Sequence, residues 1–230
     1  MTAEELIKAQ MKIQEEIEQC AIANNPNEEE IEPIYDGVYN ADGYLSASRQ
    51  IMWVLKEPYD DFTQEGKPYG GGWKIYEAFD KDNAWKNPTW QPIIYTTYGI
   101  LNRCRYEEMD WIRDDISMAD VLKQIVYINI SKMPAYSTSN DNDMMRKYNL
   151  WKPILLKQLS TYCPQIIVFG NTFKYLKHDL FGENTEPSKR IDGVLNVYEK
   201  DGVKMLDAYH PNQKSIDRGT YVNTIVESCL

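Results

Sequence analysis

Three uninterrupted apolar runs, separated by long polar stretches, dominate the pattern along this chain. They cover residues 51–55, 125–128 and 166–169. An apolar run of this length is typical of a strand that is covered on both faces, as in a parallel sheet flanked by helices. Two more strands are predicted over 194–198 and 203–206, joined by the turn Lys200-Asp201-Gly202.

Between the predicted strands, apolar residues recur at helical spacing. Thr2 and Glu5 form a capping-box pattern ahead of the first helix. Six helices are predicted. The first ends near residue 23, the second covers 91–103 and the third lies near 118–123. The fourth runs from the polar cluster 137–143 to residue 160, the fifth ends near residue 182, and the last begins near residue 216. Pro153 lies inside the fourth helix, which predicts either a kink there or a helix that restarts near Leu150.

The order of these elements predicts a single α/β domain over residues 1–230, in which residues 1–45 form an N-terminal helix and an acidic, turn-rich linker. Because strands alternate with helices, we expect a central, mostly parallel sheet with helices on both faces. In such sheets, ligands bind beyond the carboxyl ends of the strands. The predicted strands end at Glu57, Asn129, Gly170-Asn171 and His210, which predicts a cleft with a carboxylate, an amide and an imidazole.

The composition excludes several classes of protein. A chain of 230 residues that is 43% hydrophobic can bury its own core, and no apolar run reaches the roughly 18 residues of a membrane span. The four cysteines lie far apart and there are only two histidines, which argues against a metal site. The acidic N-terminus has no secretion signal. We therefore expect a cytoplasmic, monomeric protein without a cofactor.

The formal charge of −10 is distributed unevenly. Residues 1–32 carry a net charge of −7 and residues 33–122 a net charge of −6, whereas residues 123–230 carry +3. Phosphate binding depends on the local potential rather than on the total charge. The charge therefore argues against a large, tight DNA footprint, and any DNA binding is expected to be weak and salt-sensitive.

Four segments, in order along the chain, resemble the uracil-DNA glycosylase superfamily. They read Val-Leu-Lys-Glu-Pro-Tyr-Asp at 54–60, Tyr-Ile-Asn-Ile at 127–130, Ile-Val-Phe-Gly at 167–170 and His-Pro-Asn-Gln at 210–213. The resemblance spans roughly residues 50–218 and implies a three-layer α/β/α sandwich with a central, mostly parallel sheet. It also implies a DNA-repair hydrolase of base excision, a metal-independent, monofunctional DNA glycosylase that hydrolyses the N-glycosidic bond of a deaminated base such as uracil.

The resemblance assigns catalytic and base-reading roles to individual residues. Glu57 matches the carboxylate that positions water and stabilises positive charge on the sugar, and Asp60 is a second candidate acid. Asn129 matches the amide that reads the base edge, and His210 matches the group that hydrogen-bonds a departing base carbonyl. Taken alone, the same residues also fit an exposed loop acid paired with Lys56, a loop-capping amide and a packing histidine.

Aromatic and basic residues complete the predicted site. Tyr59 matches the residue that walls the pocket against bulkier bases. The aromatic that stacks on the base is expected in the following loop, as Phe62, Tyr69 or Trp73. Several lysines follow strand exits, where the backbone of DNA with a damaged base would run, among them Lys132, Lys174 and Lys214.

Two departures from the family pattern keep other functions open. Lys56 stands where the family has Gln or Glu, and the His-Pro loop continues with Asn212-Gln213-Lys214 instead of a Ser-Pro-rich run. These departures favour a non-catalytic relative that binds a base, nucleotide or nucleic acid without cleavage. A third hypothesis is an unrelated α/β hydrolytic enzyme that uses a Glu57–His210 pair on a small metabolite, although the sequence has no G-x-S-x-G, P-loop or G-x-G-x-x-G motif.

Overall fold

Seven strands pair into one sheet in the computed structural model of the protein. The structure describes residues 1–25, 32–58, 72–77, 81–135, 140–183 and 185–230. In chain order the strands are β1 (Gly37–Val38), β2 (Ile51–Leu55), β3 (Ile125–Asn129), β4 (Ile166–Gly170), β5 (Lys189–Ile191), β6 (Leu195–Lys200) and β7 (Val203–Ala208). Across the sheet their order is β1-β3-β2-β4-β7-β6-β5.

The centre of the sheet is parallel, as the apolar runs predict. Strands β3, β2, β4 and β7 run in the same direction, whereas β1, β6 and β5 each pair antiparallel with their neighbour. Leu55 of β2 lies opposite Asn129 of β3, and Gly170 of β4 lies opposite Ala208 of β7. The four parallel strands therefore end at one edge of the sheet.

Helices connect the strands at the predicted places. The α-helices are α1 (Ala3–Asn24), α2 (Ala41–Ser46), α3 (Trp90–Asn102), α4 (Asp141–Tyr162), α5 (Phe173–Phe181) and α6 (Arg218–Cys229). In addition, 3-10 helices cover Lys81–Lys86, Tyr106–Glu108 and Ile116–Gln124. None of the helices in the described ranges has the length and apolarity that crossing a membrane requires.

Helix α4 runs without interruption through Pro153, so the predicted restart near Leu150 is wrong. Pro153 is exposed, while Trp151 and Leu155 on either side of it are buried in the core. A proline removes one helical hydrogen bond and crowds the preceding turn. We infer that the buried side chains on both sides of Pro153 hold the helix together across it.

Each face of the sheet is packed against helices. One core cluster joins Trp53 of β2 to residues of α3 and α6, such as Ile94 and Val222. The other joins Val54 of β2 to residues of α1, α4 and α5, such as Ile13. Because successive residues of β2 face opposite clusters and all five are buried, this strand reads as a continuous apolar run.

The first part of the chain is more ordered than the predicted linker. Residues 37–46 form β1 and α2 instead of a turn-rich connection, and the Asn40 side chain caps α2 by accepting a hydrogen bond of 2.7 Å from the Gly43 amide. Leu6 and Ile13 of α1 are fully buried. Residues 26–31, which hold most of the acidic run, lie outside the described residues.

Candidate functional site

A cavity of about 640 Å³ opens at the carboxyl edge of the parallel strands. Its lining includes groups from the exits of β2, β3, β4 and β7 together with two tryptophans. The residues important for its chemistry are Glu57, Trp73, Trp90, Tyr127, His210 and Asn212. Of the predicted carboxylate, amide and imidazole, Glu57 and His210 line this cavity, whereas Asn129 does not.

Glu57 presents a buried carboxylate to the cavity. Its segment is held beside β3 by two backbone hydrogen bonds of 3.0 Å, from Ser131 to the Lys56 carbonyl and from Ala135 to the Pro58 carbonyl. The Glu57 side chain is only 4% exposed, and the Lys147 ammonium lies close to it, with Nζ 3.8 Å from Oε2. The interpretation of Glu57 as an exposed loop acid paired with Lys56 is therefore wrong.

One oxygen of this carboxylate remains available. Oε2 of Glu57 is buried and accepts no hydrogen bond from the described part of the chain. A buried carboxylate oxygen without a donor costs free energy, so such groups in clefts are often satisfied by a ligand or a water molecule. Glu57 can therefore accept a hydrogen bond from a ligand or water, or stabilise a nearby positive charge.

His210 is held as a neutral hydrogen-bond donor. Its Nδ1 accepts a hydrogen bond of 3.1 Å from the Asn212 backbone amide. Burial, reinforced by the Lys56 charge, lowers the pKa of His210 to about 4. At neutral pH the imidazole is uncharged, and because Nδ1 accepts, the proton resides on Nε2. The Nε2–H group can thus donate to an acceptor in the cavity.

Gly170 allows the His-Pro loop to approach β4 closely. A Cβ atom at this position would lie 2.3 Å from Cδ2 of Leu55, 3.0 Å from Cδ of Pro211 and 3.7 Å from Cα of His210. The end of β4 therefore has no room for a side chain. This close approach fixes the backbone of His210 against the sheet.

Asn129 lies at the same carboxyl edge of the sheet, but deeper than the residues that line the cavity. It is 1% exposed and is not among the residues that line the cavity. Tyr127, two residues earlier on the same strand face, lines the cavity and lies against the Asn129 side chain. The side-chain Nδ2 of Asn129 is buried and donates no hydrogen bond within the described residues.

Aromatic rings form one wall of the cavity. The ring centroid of Tyr127 lies 4.7 Å from that of Trp90 and 6.1 Å from that of Trp73. Trp73, one of the three candidates for the stacking aromatic, lines the cavity. Other predicted residues, Tyr59, Asp60, Phe62 and Tyr69, lie outside the described residues.

Trp90 and Tyr127 were not predicted as site residues. For Tyr127 a signal was present, because the two-residue period of a strand puts it on the same face as Asn129. Trp90 begins helix α3, and nothing in its local sequence indicates that it reaches this cavity.

The three lysines predicted to follow a DNA backbone have different environments. Lys132 is fully buried and paired with Asp36, so its predicted contact with phosphate is wrong: a DNA backbone cannot reach it. Lys174 is exposed and lies 2.6 Å from Asp141, measured from Nζ to Oδ2. Lys214 is exposed in the loop that follows His210.

Comparison of the chain with protein-family models and with curated proteins gave no match. Within the described ranges, no group of three or more His, Cys, Asp or Glu side chains is arranged to hold a metal ion. The geometry of the cavity is therefore the basis for a functional assignment.

Proposed function

We propose that the protein is a DNA glycosylase that hydrolyses the N-glycosidic bond of a deaminated base such as uracil in DNA. The observation that carries this proposal is one cavity lined by three features: a buried carboxylate with an oxygen that accepts no hydrogen bond from the described residues, a neutral imidazole and an aromatic wall. A flipped base is commonly recognised by stacking on aromatic side chains and by hydrogen bonds to its edge.

The two polar groups fit the two charges that develop in this reaction. As the bond between C1′ and the base nitrogen breaks, positive charge grows on the sugar and negative charge on the base. Glu57 stabilises the sugar cation and orients water, whose oxygen bonds to C1′ as one of its protons passes to the solvent. The Nε2–H group of His210 stabilises the base anion, which takes up a proton from the solvent. Fixed groups aimed at developing charge are among the largest sources of catalysis.

We also propose that the chain is a divergent member of the uracil-DNA glycosylase superfamily, with its three-layer α/β/α arrangement. The order of the four motifs supports this relationship, as do helices on both faces of the sheet. The proposal includes a monomer in the cytoplasm that binds DNA with a damaged base weakly and uses water as the only co-reactant.

A non-catalytic base- or nucleotide-binding protein is the second candidate. The observation that favours it is the placement of Asn129, whose side-chain amide is buried next to Tyr127 and away from the cavity surface. A ligand could then stack on the aromatic wall without having its edge read by the amide.

Release of free base decides between the two candidates. We expect uracil to be released from single- or double-stranded oligonucleotides containing one deoxyuridine, with EDTA present, and no release from matched thymidine oligonucleotides. Binding of the uracil oligonucleotide without release would favour the non-catalytic candidate. Neither binding nor release would contradict both and direct attention to small-metabolite substrates.

A further inference from the structure

A fully buried ion pair lies next to the end of β3. The ammonium of Lys132 is 2.8 Å from both carboxylate oxygens of Asp36, and both side chains have no exposed surface. Asp36 immediately precedes β1, in the segment that sequence analysis assigned to the acidic linker. The amide Nε2 of Gln158 in α4 donates a third hydrogen bond to this carboxylate, 2.8 Å from Oδ1.

The pair holds both backbone polar groups of Asn129. The Asn129 amide donates to Oδ2 of Asp36 at 2.6 Å, and the Asn129 carbonyl accepts from Nζ of Lys132 at 2.7 Å. Pairing between β1 and β3 covers only Tyr127 and Val126, opposite Gly37 and Val38. The Asp36 carboxylate thus takes the place of a strand partner on the β1 side of Asn129, while on the other side Asn129 is paired with Leu55 of β2.

Stability alone is a weak reason for such a pair. Burying two charges costs several kcal/mol of desolvation, and well-packed apolar replacements of buried ion pairs are often neutral or stabilising. The same burial lowers the pKa of Lys132 despite the neighbouring carboxylate. An apolar pair of similar volume would fill the space, but it could not hold the amide and the carbonyl of one particular residue.

We propose that Asp36 and Lys132 are positioning residues that fix Asn129 so that its side-chain amide can read the base. This inference rests on the proposed function. The Asn129 backbone is fixed at both its polar groups, and its buried side-chain amide lies beside Tyr127, whose side chain lines the cavity. Because Asn129 itself does not line the cavity, the proposal requires that the Tyr127 side chain moves aside when the amide reads a base.

The first test needs no ligand. Amide hydrogen exchange at Asn129 is measured by NMR in the wild-type protein, in Asp36→Leu/Lys132→Met, and in Tyr44→Phe. Tyr44→Phe is the matched control, because it removes a buried hydrogen bond of 3.0 Å to the Tyr162 carbonyl that does not involve Asn129. We expect the double variant to be less stable than the wild type, because the buried amide and carbonyl of Asn129 and the Gln158 amide lose their partners. Relative to the other β3 amides, exchange at Asn129 should become faster in this variant and not in Tyr44→Phe.

The second test measures base release and oligonucleotide binding. In the double variant we expect base release to slow by about a hundredfold, the loss associated with misplacing a group by about 1 Å. We also expect weaker binding of an oligonucleotide with one 2′-fluoro-2′-deoxyuridine, which resists cleavage. Tyr44→Phe should keep wild-type values in both measurements. Should the double variant not fold, Asp36→Asn/Lys132→Met, which removes both charges together and keeps the shape of the Asp36 side chain, takes its place in both tests.

The outcomes separate this inference from the function on which it rests. Wild-type exchange at Asn129 and wild-type base release in the variant would overturn the positioning role. Equal losses in the variant and in Tyr44→Phe would also overturn it, because they would show a general effect of destabilisation. If the wild-type protein neither binds nor cleaves the uracil oligonucleotide, the proposed function fails, while the exchange measurement still decides whether the ion pair fixes Asn129.

Discussion

Glu57 is the residue whose charge matters most in the proposed reaction. Glu57→Gln keeps the shape of the side chain but removes the charge that stabilises the sugar cation. We expect base release to slow by about a hundred- to a thousandfold, as for the loss of one well-aimed electrostatic group. Binding of an uncleavable substrate should change little, because the charge acts mainly in the transition state. Single-turnover release and equilibrium binding measure the two effects.

Glu77 provides the matched control for this variant, because it is a second glutamate that lines the cavity but is exposed to solvent. Glu77→Gln should retain the wild-type rate of release. Equal losses in the two variants would indicate a general effect of cavity charge, and a fully active Glu57→Gln would remove Glu57 from the mechanism and make Asp60 the next acid to test.

His210 should make stability depend on pH. In the unfolded chain its imidazole binds a proton below about pH 6.5, whereas in the folded protein the pKa is about 4. Between these values the unfolded state holds more protons, so the free energy of unfolding falls as the pH is lowered from 6.5 to 4. His210→Gln should flatten this part of the pH dependence. Denaturant unfolding at several pH values measures the slope.

The other histidine serves as the control for this measurement. His178→Gln changes an exposed imidazole in α5 and reports what the loss of an imidazole does elsewhere in the protein. If stability falls as steeply in His210→Gln as in the wild type, the imidazole of His210 is not the buried group described here.

The position of a residue in the folded protein could be predicted where it follows from the order of the strands along the chain. Glu57 and His210 follow apolar strands, and parallel strands end at one edge, so their meeting follows from chain order. Lys132 also follows a strand, but its partner Asp36 is 96 residues away in sequence. Pairing over that distance depends on where β1 docks, which local sequence does not determine.

At the scale of elements, the sequence predicts the strands that are buried on both faces and the β6–β7 hairpin, and it misses β1 and β5. Strands β2, β3 and β4 are buried at every residue, which leaves a continuous apolar run. Strand β5 is mostly exposed and β1 has two residues, so neither leaves a pattern. The β6–β7 hairpin was predictable because its Asp201-Gly202 turn adopts positive φ at both residues, 52° and 79°.

The junction of β4 with the His-Pro loop provides a test at this scale. In Gly170→Ala, the new methyl group meets Leu55 and Pro211, so one of them must move. We expect a loss of about 1–3 kcal/mol in the free energy of unfolding, as for other overpacked sites. We also expect slower base release, because Pro211 adjoins His210. Denaturant unfolding and the release assay measure the two effects.

Gly202→Ala is the control for this element. It introduces a methyl group with nothing within 4 Å but at a φ of +79°, so it strains the backbone without touching the site. A stability loss with normal base release is the expected result for Gly202→Ala. The same result for Gly170→Ala would contradict the view that close packing at the end of β4 positions His210.

At the scale of the whole molecule, electrostatics limits how the protein can bind DNA. The net charge is −10. Among the lysines predicted to follow the backbone, Lys132 is buried and Lys174 is paired with Asp141, whereas Lys214 is exposed in the loop that follows His210. Few phosphates can then be neutralised, and affinity has to come from the base in its cavity.

The small number of expected phosphate contacts predicts how DNA binding depends on salt concentration. On duplex DNA each neutralised phosphate contributes about −0.9 to the slope of log affinity against log salt concentration. We expect a wild-type slope no steeper than about −3, corresponding to about three phosphates. Lys214→Ala should make the slope shallower by about 0.9, because its ammonium is free to meet a phosphate. Lys174→Ala should leave the slope nearly unchanged, because its ammonium already meets Asp141 at 2.6 Å.

Titration of labelled duplex with each protein at four salt concentrations gives the three slopes. A wild-type slope much steeper than −3, or equal effects of the two substitutions, would show that DNA follows a basic surface not recognised here.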